Sequence, residues 1–103
     1  MSERHLEMPD LEQLELPEVL HALADPIRLE IVAALADGER ACGSFPLPVG
    51  DSTRSHHLKI LRDAGVTATR VVGTQRLVSL RRDDLDERFP GLLDLALSAG
   101  RKP

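Results

Sequence analysis

The most informative pattern of apolar and polar positions lies in residues 49–66, VGDSTRSHHLKILRDAGV, where a helical period separates the two kinds of side chain. The apolar positions of this stretch are Val49, Leu58, Ile60 and Leu61. The polar positions on the opposite side are Ser52, Thr53, Ser55, His56, Lys59 and Arg62. We expect a helix over about 51–64 that ends where Gly65 takes a left-handed cap. Packed on one side and rich in hydrogen-bond donors on the other, it has the pattern of a DNA recognition helix.

Two helices are predicted before this one. Pro17 fits the first turn of a helix over about 17–24. Asp25 followed by Pro26 predicts a second helix start, because Asp is a favoured N-cap and Pro is favoured at the first helical position. Gly38 is expected to close that second helix.

Residues 41–64 form a candidate helix-turn-helix. The segment 41–45 predicts one short helix, and Pro46 and Pro48 prevent it from continuing. The helix over about 51–64 would then be the second helix of the pair.

A hairpin and a last helix follow. Alternating, β-branched residues on both sides of Gly73 predict a β-hairpin over 66–80. We expect a final helix over about 83–98, with acids such as Asp83 at its positive end. Pro90-Gly91 should kink or split that helix.

The composition limits the classes of protein that the chain can belong to. With 103 residues, one domain spanning 1–103 is expected. Two Phe, no Trp and no Tyr imply an aliphatic core and argue against single-strand binders, which stack bases on aromatic rings. One Cys excludes an internal disulfide, and no apolar run approaches the ~20 residues of a membrane span. Residues 1–10 are polar, should be loose and resemble no secretory signal, so we expect a cytoplasmic protein.

The charge is unevenly distributed. The formal net charge of −4 looks wrong for a nucleic-acid binder. Residues 1–51, however, hold 3 Lys/Arg and 11 Asp/Glu, whereas residues 52–82 hold 7 Lys/Arg and 1 acid. Residues 83–103 hold 3 and 5. The positive excess therefore falls on the predicted recognition helix and hairpin, where phosphate contacts would need it.

This order of elements predicts a mostly α chain of the α+β class, a winged helix-turn-helix with about five helices and a two-stranded hairpin as the wing. The runs LADPIRLEIVAAL and STRSHHLKILRDAGV, with a Gly-turned wing leading into SLRRDDL, resemble the ArsR/SmtB family of bacterial winged-helix repressors. The resemblance covers about residues 17–97.

The resemblance implies a homodimeric repressor that binds a palindromic operator in double-stranded DNA and dissociates from it when an effector binds. In the family, the first and last helices form the dimer interface, the recognition helix enters the major groove and the wing touches the flanking backbone. The predicted DNA-contacting residues are Ser52, Thr53, Arg54, Ser55, His56, Lys59 and Arg62 on the helix, and Arg70, Gln75 and Arg76 on the wing.

The two ends of the chain carry more apolar side chains than one small core needs. We therefore predict a symmetric homodimer whose interface is formed by these terminal segments. These residues are Leu11, Leu14, Leu16, Leu92, Leu93, Leu95 and Leu97. For His57 the sequence leaves two interpretations open, a buried structural histidine and a phosphate contact.

Metal sensing does not carry over from the resemblance. Many members bind metals through a Cys-x-Cys site before the recognition helix, whereas the matching stretch RACGSF has only Cys42. The last helix has acids but no His. We therefore expect no metal site and no cofactor, because three or four soft ligands are not available. We expect Cys42 to be a small buried residue, and a sensor role is the alternative.

Two other classes of protein compete with this interpretation. An enzyme is not expected, because no nucleophile elbow, phosphate-binding Gly loop, HExxH motif or convergent Cys/His/Asp set is present. A winged helix that binds other proteins without sequence-specific DNA binding remains the alternative function.

Overall fold

The computed structural model describes residues 3–100. Within them lie five α-helices, α1 (Leu16–Leu23), α2 (Pro26–Leu35), α3 (Asp51–Ala64), α4 (Arg82–Arg88) and α5 (Leu92–Gly100). Four strands form one sheet, β1 (Glu3–His5), β2 (Arg40–Ala41), β3 (Thr67–Val72) and β4 (Gln75–Leu80). The chain is a winged helix, as predicted, and no helix of the described part is long and apolar enough to cross a bilayer.

Helix boundaries follow the capping residues that the sequence indicates. The Asp25 side chain accepts hydrogen bonds from the backbone N–H groups of Ile27 at 2.8 Å and Arg28 at 3.1 Å. Burial raises the pKa of the Asp25 carboxyl, but these backbone hydrogen bonds and the nearby charge of Arg28 together outweigh the effect of burial, so that the pKa is lowered overall. Gly65 ends α3 in the left-handed conformation, with φ of 88°. Pro90-Gly91 separates α4 from α5.

The segment before α3 is shorter than a helix. A single 3₁₀ turn, Cys42–Ser44, stands where a short helix over 41–45 was predicted. Pro46 and Pro48 lack backbone N–H groups, which would otherwise have extended the turn into a helix. The α3 helix is therefore introduced by an extended, proline-containing connection.

The sheet is larger than the predicted two-stranded hairpin. All neighbouring strands are antiparallel, in the order β1-β3-β4-β2. The expectation that residues 1–10 are loose is wrong for Glu3–His5, which pair with β3. The buried Arg81 also donates to the Pro9 carbonyl oxygen at 2.6 Å. Backbone pairing, which needs no apolar side chains, is why polar composition did not reveal this strand.

The core is aliphatic, as the composition predicts, with Phe45 as its buried aromatic residue. Its most completely buried side chains include Leu14, Ile31, Leu61, Leu85 and Leu93. The prediction of a dimer interface is therefore wrong for three leucines. Leu14, Leu93 and Leu97 are 1%, 1% and 6% exposed and belong to the core of the protomer itself.

Gly65 is a position where an added methyl group should be costly. A Cβ built there collides with Cδ2 of the buried Leu14. We expect Gly65→Ala to lower the free energy of unfolding by about 3 kcal/mol, combining left-handed strain with overpacking. Urea unfolding measures this change. Gly91→Ala is the matched control, because its φ of 87° is equivalent while its Cβ meets nothing within 4 Å. Equal losses in both variants would refute the collision as the cause.

Candidate nucleic-acid interface

The α3 helix is anchored on one side and free on the other. Leu58, Leu61 and Ala64 are 4%, 0% and 9% exposed, and they tie the helix to the core. The predicted readers that lie exposed on the outer side are Ser52, Thr53, Ser55, His56 and Lys59. The structure therefore brings these side chains together on one accessible face, which we call the outer face of α3.

Intrahelical ion pairs engage two of the cations of α3. Arg54 Nη2 lies 2.9 Å from Asp51 Oδ1, and Lys59 Nζ lies 2.6 Å from Asp63 Oδ2. The Arg54 side chain is only 16% exposed, whereas Lys59 and Asp63 are 62% and 54% exposed. An ion pair between exposed groups contributes at most about 1 kcal/mol, so a DNA phosphate can replace the carboxylate at Lys59. Arg62 is half-buried and makes no ion pair with any of residues 3–100.

The hairpin exposes Gln75 and Arg76, whereas Arg70 is half-buried and paired with acidic side chains. Gln75 and Arg76 are exposed where β4 leaves the turn at Gly73, and within the described chain Arg76 makes no ion pair. Arg70 points to acidic side chains instead. Its Nε and Nη2 donate to the two carboxylate oxygens of Glu39, both at 2.7 Å, and Nη1 donates to Glu3 at 3.2 Å.

These contacts change the properties of both partners. Hydrogen bonding by Arg70 holds the pKa of the Glu39 carboxyl below its ordinary value, and the bonds from Arg70 to Glu39 and Glu3 raise the pKa of Arg70. Arg70 thus cross-links β3 to the start of the chain and to the segment before β2. The sequence separations of 31 and 67 residues explain why the sequence alone did not reveal these partners of Arg70.

A buried arginine, which the sequence did not single out, positions α3. Arg28 is 7% exposed, and its Nε donates to the Ala22 carbonyl oxygen at 2.6 Å. Nη2 donates to the His21 carbonyl oxygen at 3.1 Å, and Nη1 lies 3.2 Å from His57 Nδ1. Arg28 therefore satisfies the last carbonyls of α1 and links them to α3. Of the two interpretations of His57, this contact favours the structural histidine.

Cys42 is half-buried and packs against the edge of the core. Within residues 3–100, no three His, Cys, Asp or Glu side chains cluster so that they could hold a metal ion. The arrangement around α3 and the hairpin is thus one of hydroxyl, imidazole and cationic groups.

Known proteins share this architecture. Residues 25–67 match the family described as "Bacterial regulatory protein, arsR family". An uncharacterized HTH-type transcriptional regulator, YceK of Bacillus subtilis, is 37% identical over 81 residues, which are 75% of this chain and 81% of the relative. The arsenical resistance operon repressor of Staphylococcus xylosus is 38% identical over 70% of this chain and 71% of its own length. The structure of HlyU from Vibrio cholerae superposes with a TM-score of 0.67 at 26% identity, covering 81% of this chain and 88% of HlyU.

The fold and these relatives define the class of protein, a winged helix-turn-helix transcriptional regulator. The chain belongs to the arsR family of bacterial regulatory proteins. Its relatives are regulators and not enzymes, which supports the prediction of a non-enzymatic role.

Proposed function

We propose that the protein is a homodimeric repressor that acts in the cytoplasm, binds a palindromic operator in double-stranded DNA and is released by an effector. The observation that carries the proposal is the outer face of α3, which lies beside the exposed Arg76 of the hairpin in a chain that is acidic elsewhere. Hydroxyl and imidazole groups on α3 would contact base edges, and Lys59, Arg62 and Arg76 would contact phosphates. Arg70 would support the wing from within rather than touch DNA.

The dimer would form through an apolar groove between α1 and the α4–α5 junction. Leu16, Leu20 and Leu95 are 41%, 46% and 67% exposed, which is unusual for large apolar side chains. With Phe89, Pro90, Gly91 and Leu92, they line a groove of about 510 Å³. A second copy that presents the same groove would cover it by two-fold symmetry and set two α3 helices side by side. Leu20 replaces the buried leucines in the interface expected from sequence.

The salt dependence of duplex binding tests DNA binding against the alternative, a module that binds other proteins. If each protomer uses Lys59, Arg62 and Arg76, a dimer neutralises roughly six phosphates, and log K should fall with log salt at a slope of about −5. Between 50 and 200 mM salt the affinity should fall about 1000-fold. Fluorescence anisotropy with a labelled duplex measures this slope. A slope near zero, or the absence of duplex binding at low salt, would favour the protein-binding module.

We predict that no transition metal or arsenite is the natural effector. One relative is named an arsenical resistance operon repressor, but this chain supplies one thiol per protomer, and soft metals require several soft ligands. Stoichiometric zinc, copper, cadmium and arsenite should leave the protein–DNA complex intact in an anisotropy titration. Release at sub-micromolar concentration that is lost in Cys42→Ser would overturn the prediction and make Cys42 a ligand across the dimer. If the complex stays intact, three alternatives remain: an organic effector, an oxidant that acts on Cys42, or control by protein abundance.

A further inference from the structure

A cavity of about 200 Å³ lies between α3 and the β3–β4 hairpin, on the side of the protein that carries the proposed DNA contacts. Its buried part is formed by Leu58 and Val78, which are 4% and 1% exposed. Cys42 forms one wall. The inner end of the cavity is thus apolar, and an occupant would remove apolar surface from water.

The hydroxyl group of a threonine also lines this cavity. Thr69 is 4% exposed and stands opposite Val78 in the β3–β4 register. Its side chain makes no hydrogen bond to any group of residues 3–100, and the exposed Ser55 adds a second hydroxyl at the mouth. A hydroxyl that lines the cavity and has no partner within the described chain leaves hydrogen-bonding capacity that an occupant can satisfy.

The mouth of the cavity is positively charged. Lys59, Arg62 and Arg76 line it, and none of its lining residues is acidic. Lys59 is paired with Asp63 through an exposed contact, whereas Arg62 and Arg76 are without ion pairs in the described part of the chain. Three cations around an apolar interior favour a ligand with one anionic and one apolar end.

We propose that this cavity binds a small organic anion, with its carboxylate or phosphate at the three cations and its apolar part between Leu58 and Val78. The volume is below the ~300 Å³ at which sites for drug-sized ligands begin, so a single ring or a short alkyl chain fits. The regulatory consequence rests on the proposed function. Because the ligand would occupy the cations assigned to DNA phosphates, the anion and the operator would compete directly.

Binding is tested first without DNA, by ¹H–¹⁵N NMR titration of the protein with benzoate, and with benzamide as the neutral analogue of equal shape. Benzoate should bind at least about 10-fold more tightly, as expected for hydrogen bonds to charged groups. Shifts should centre on the amides of Leu58, Thr69 and Val78. Equal affinities for the two probes, or shifts centred elsewhere, would overturn the proposal.

Substitutions at two residues locate the site without touching the proposed DNA contacts. Cys42→Leu extends a side chain into the cavity, and Cys42→Ser is its control of similar size. Thr69→Val removes the threonine hydroxyl while keeping the shape. Benzoate affinity should fall at least about 10-fold in Cys42→Leu and remain within about 2-fold in Cys42→Ser. An affinity unchanged in both Cys42→Leu and Thr69→Val would refute this location.

Competition is tested with a labelled duplex at constant ionic strength. Saturating benzoate should weaken duplex binding at least about 10-fold in the unmodified protein and less than about 2-fold in Cys42→Leu. If benzoate binds in the cavity but duplex affinity does not change, the regulatory inference is wrong. If benzoate binds as described but the protein never binds duplex DNA, the proposed function fails and the cavity assignment stands.

Discussion

Ser55→Ala and His56→Ala are each expected to lower the affinity for the operator by about 30-fold, while affinity for random duplex DNA changes by less than about 3-fold. Both side chains are exposed on the outer face of α3, beyond the anchor formed by Leu58 and Leu61. A lost base contact costs about 1 kcal/mol or more in each half-site, and a dimer loses two. Neither residue carries a formal charge when His is neutral, so the electrostatic part of binding should remain.

Arg76→Ala is the matched comparison, because this exposed side chain on the hairpin is proposed to contact phosphates. It should weaken operator and random duplex alike and reduce the magnitude of the salt slope by about 2 for a dimer. The operator can be selected from a random duplex pool and the affinities measured by anisotropy. Melting temperatures control for folding. If all three variants lose affinity equally on both duplexes, the division between base and phosphate contacts is wrong.

Leu95→Glu is expected to produce a folded monomer whose operator affinity is at least about 100-fold weaker. Leu95 is 67% exposed in the protomer, so its replacement should leave the core intact. In the proposed dimer the new carboxylate would be buried in an apolar groove without a partner, which is strongly unfavourable. A monomer engages one half-site and loses the high effective concentration at which the second is bound.

Sedimentation velocity at micromolar concentration measures the association, and thermal unfolding confirms that the variant is folded. Leu95→Met is the control, since it keeps an apolar side chain of similar volume and should stay dimeric. Leu20→Glu, on the opposite wall of the groove, should behave like Leu95→Glu. A dimer that persists in both glutamate variants would place the interface elsewhere, and a monomeric unmodified protein would refute the dimer itself.

Local signals explain the features that were predicted correctly. Helix ends depend on residues within a few positions of one another, as with Asp25 and Pro26 at the start of α2 and Gly65 at the end of α3. The hairpin around Gly73 is equally local, because its strands are adjacent in sequence. The concentration of positive charge in residues 52–82 is also a property of the chain before it folds.

The sequence by itself determined the order of helices, the hairpin, the polar side of α3 and the location of the basic segment. Only the tertiary structure decided which leucines are buried, since Leu14 and Leu93 enter the core while Leu20 and Leu95 remain exposed. It also decided the partners of the charged groups: Arg70 meets Glu39 and Glu3, and Arg28 meets the end of α1 and His57. Capping and periodicity act over one or two turns, whereas burial and ion pairing depend on which distant segments the fold brings into contact.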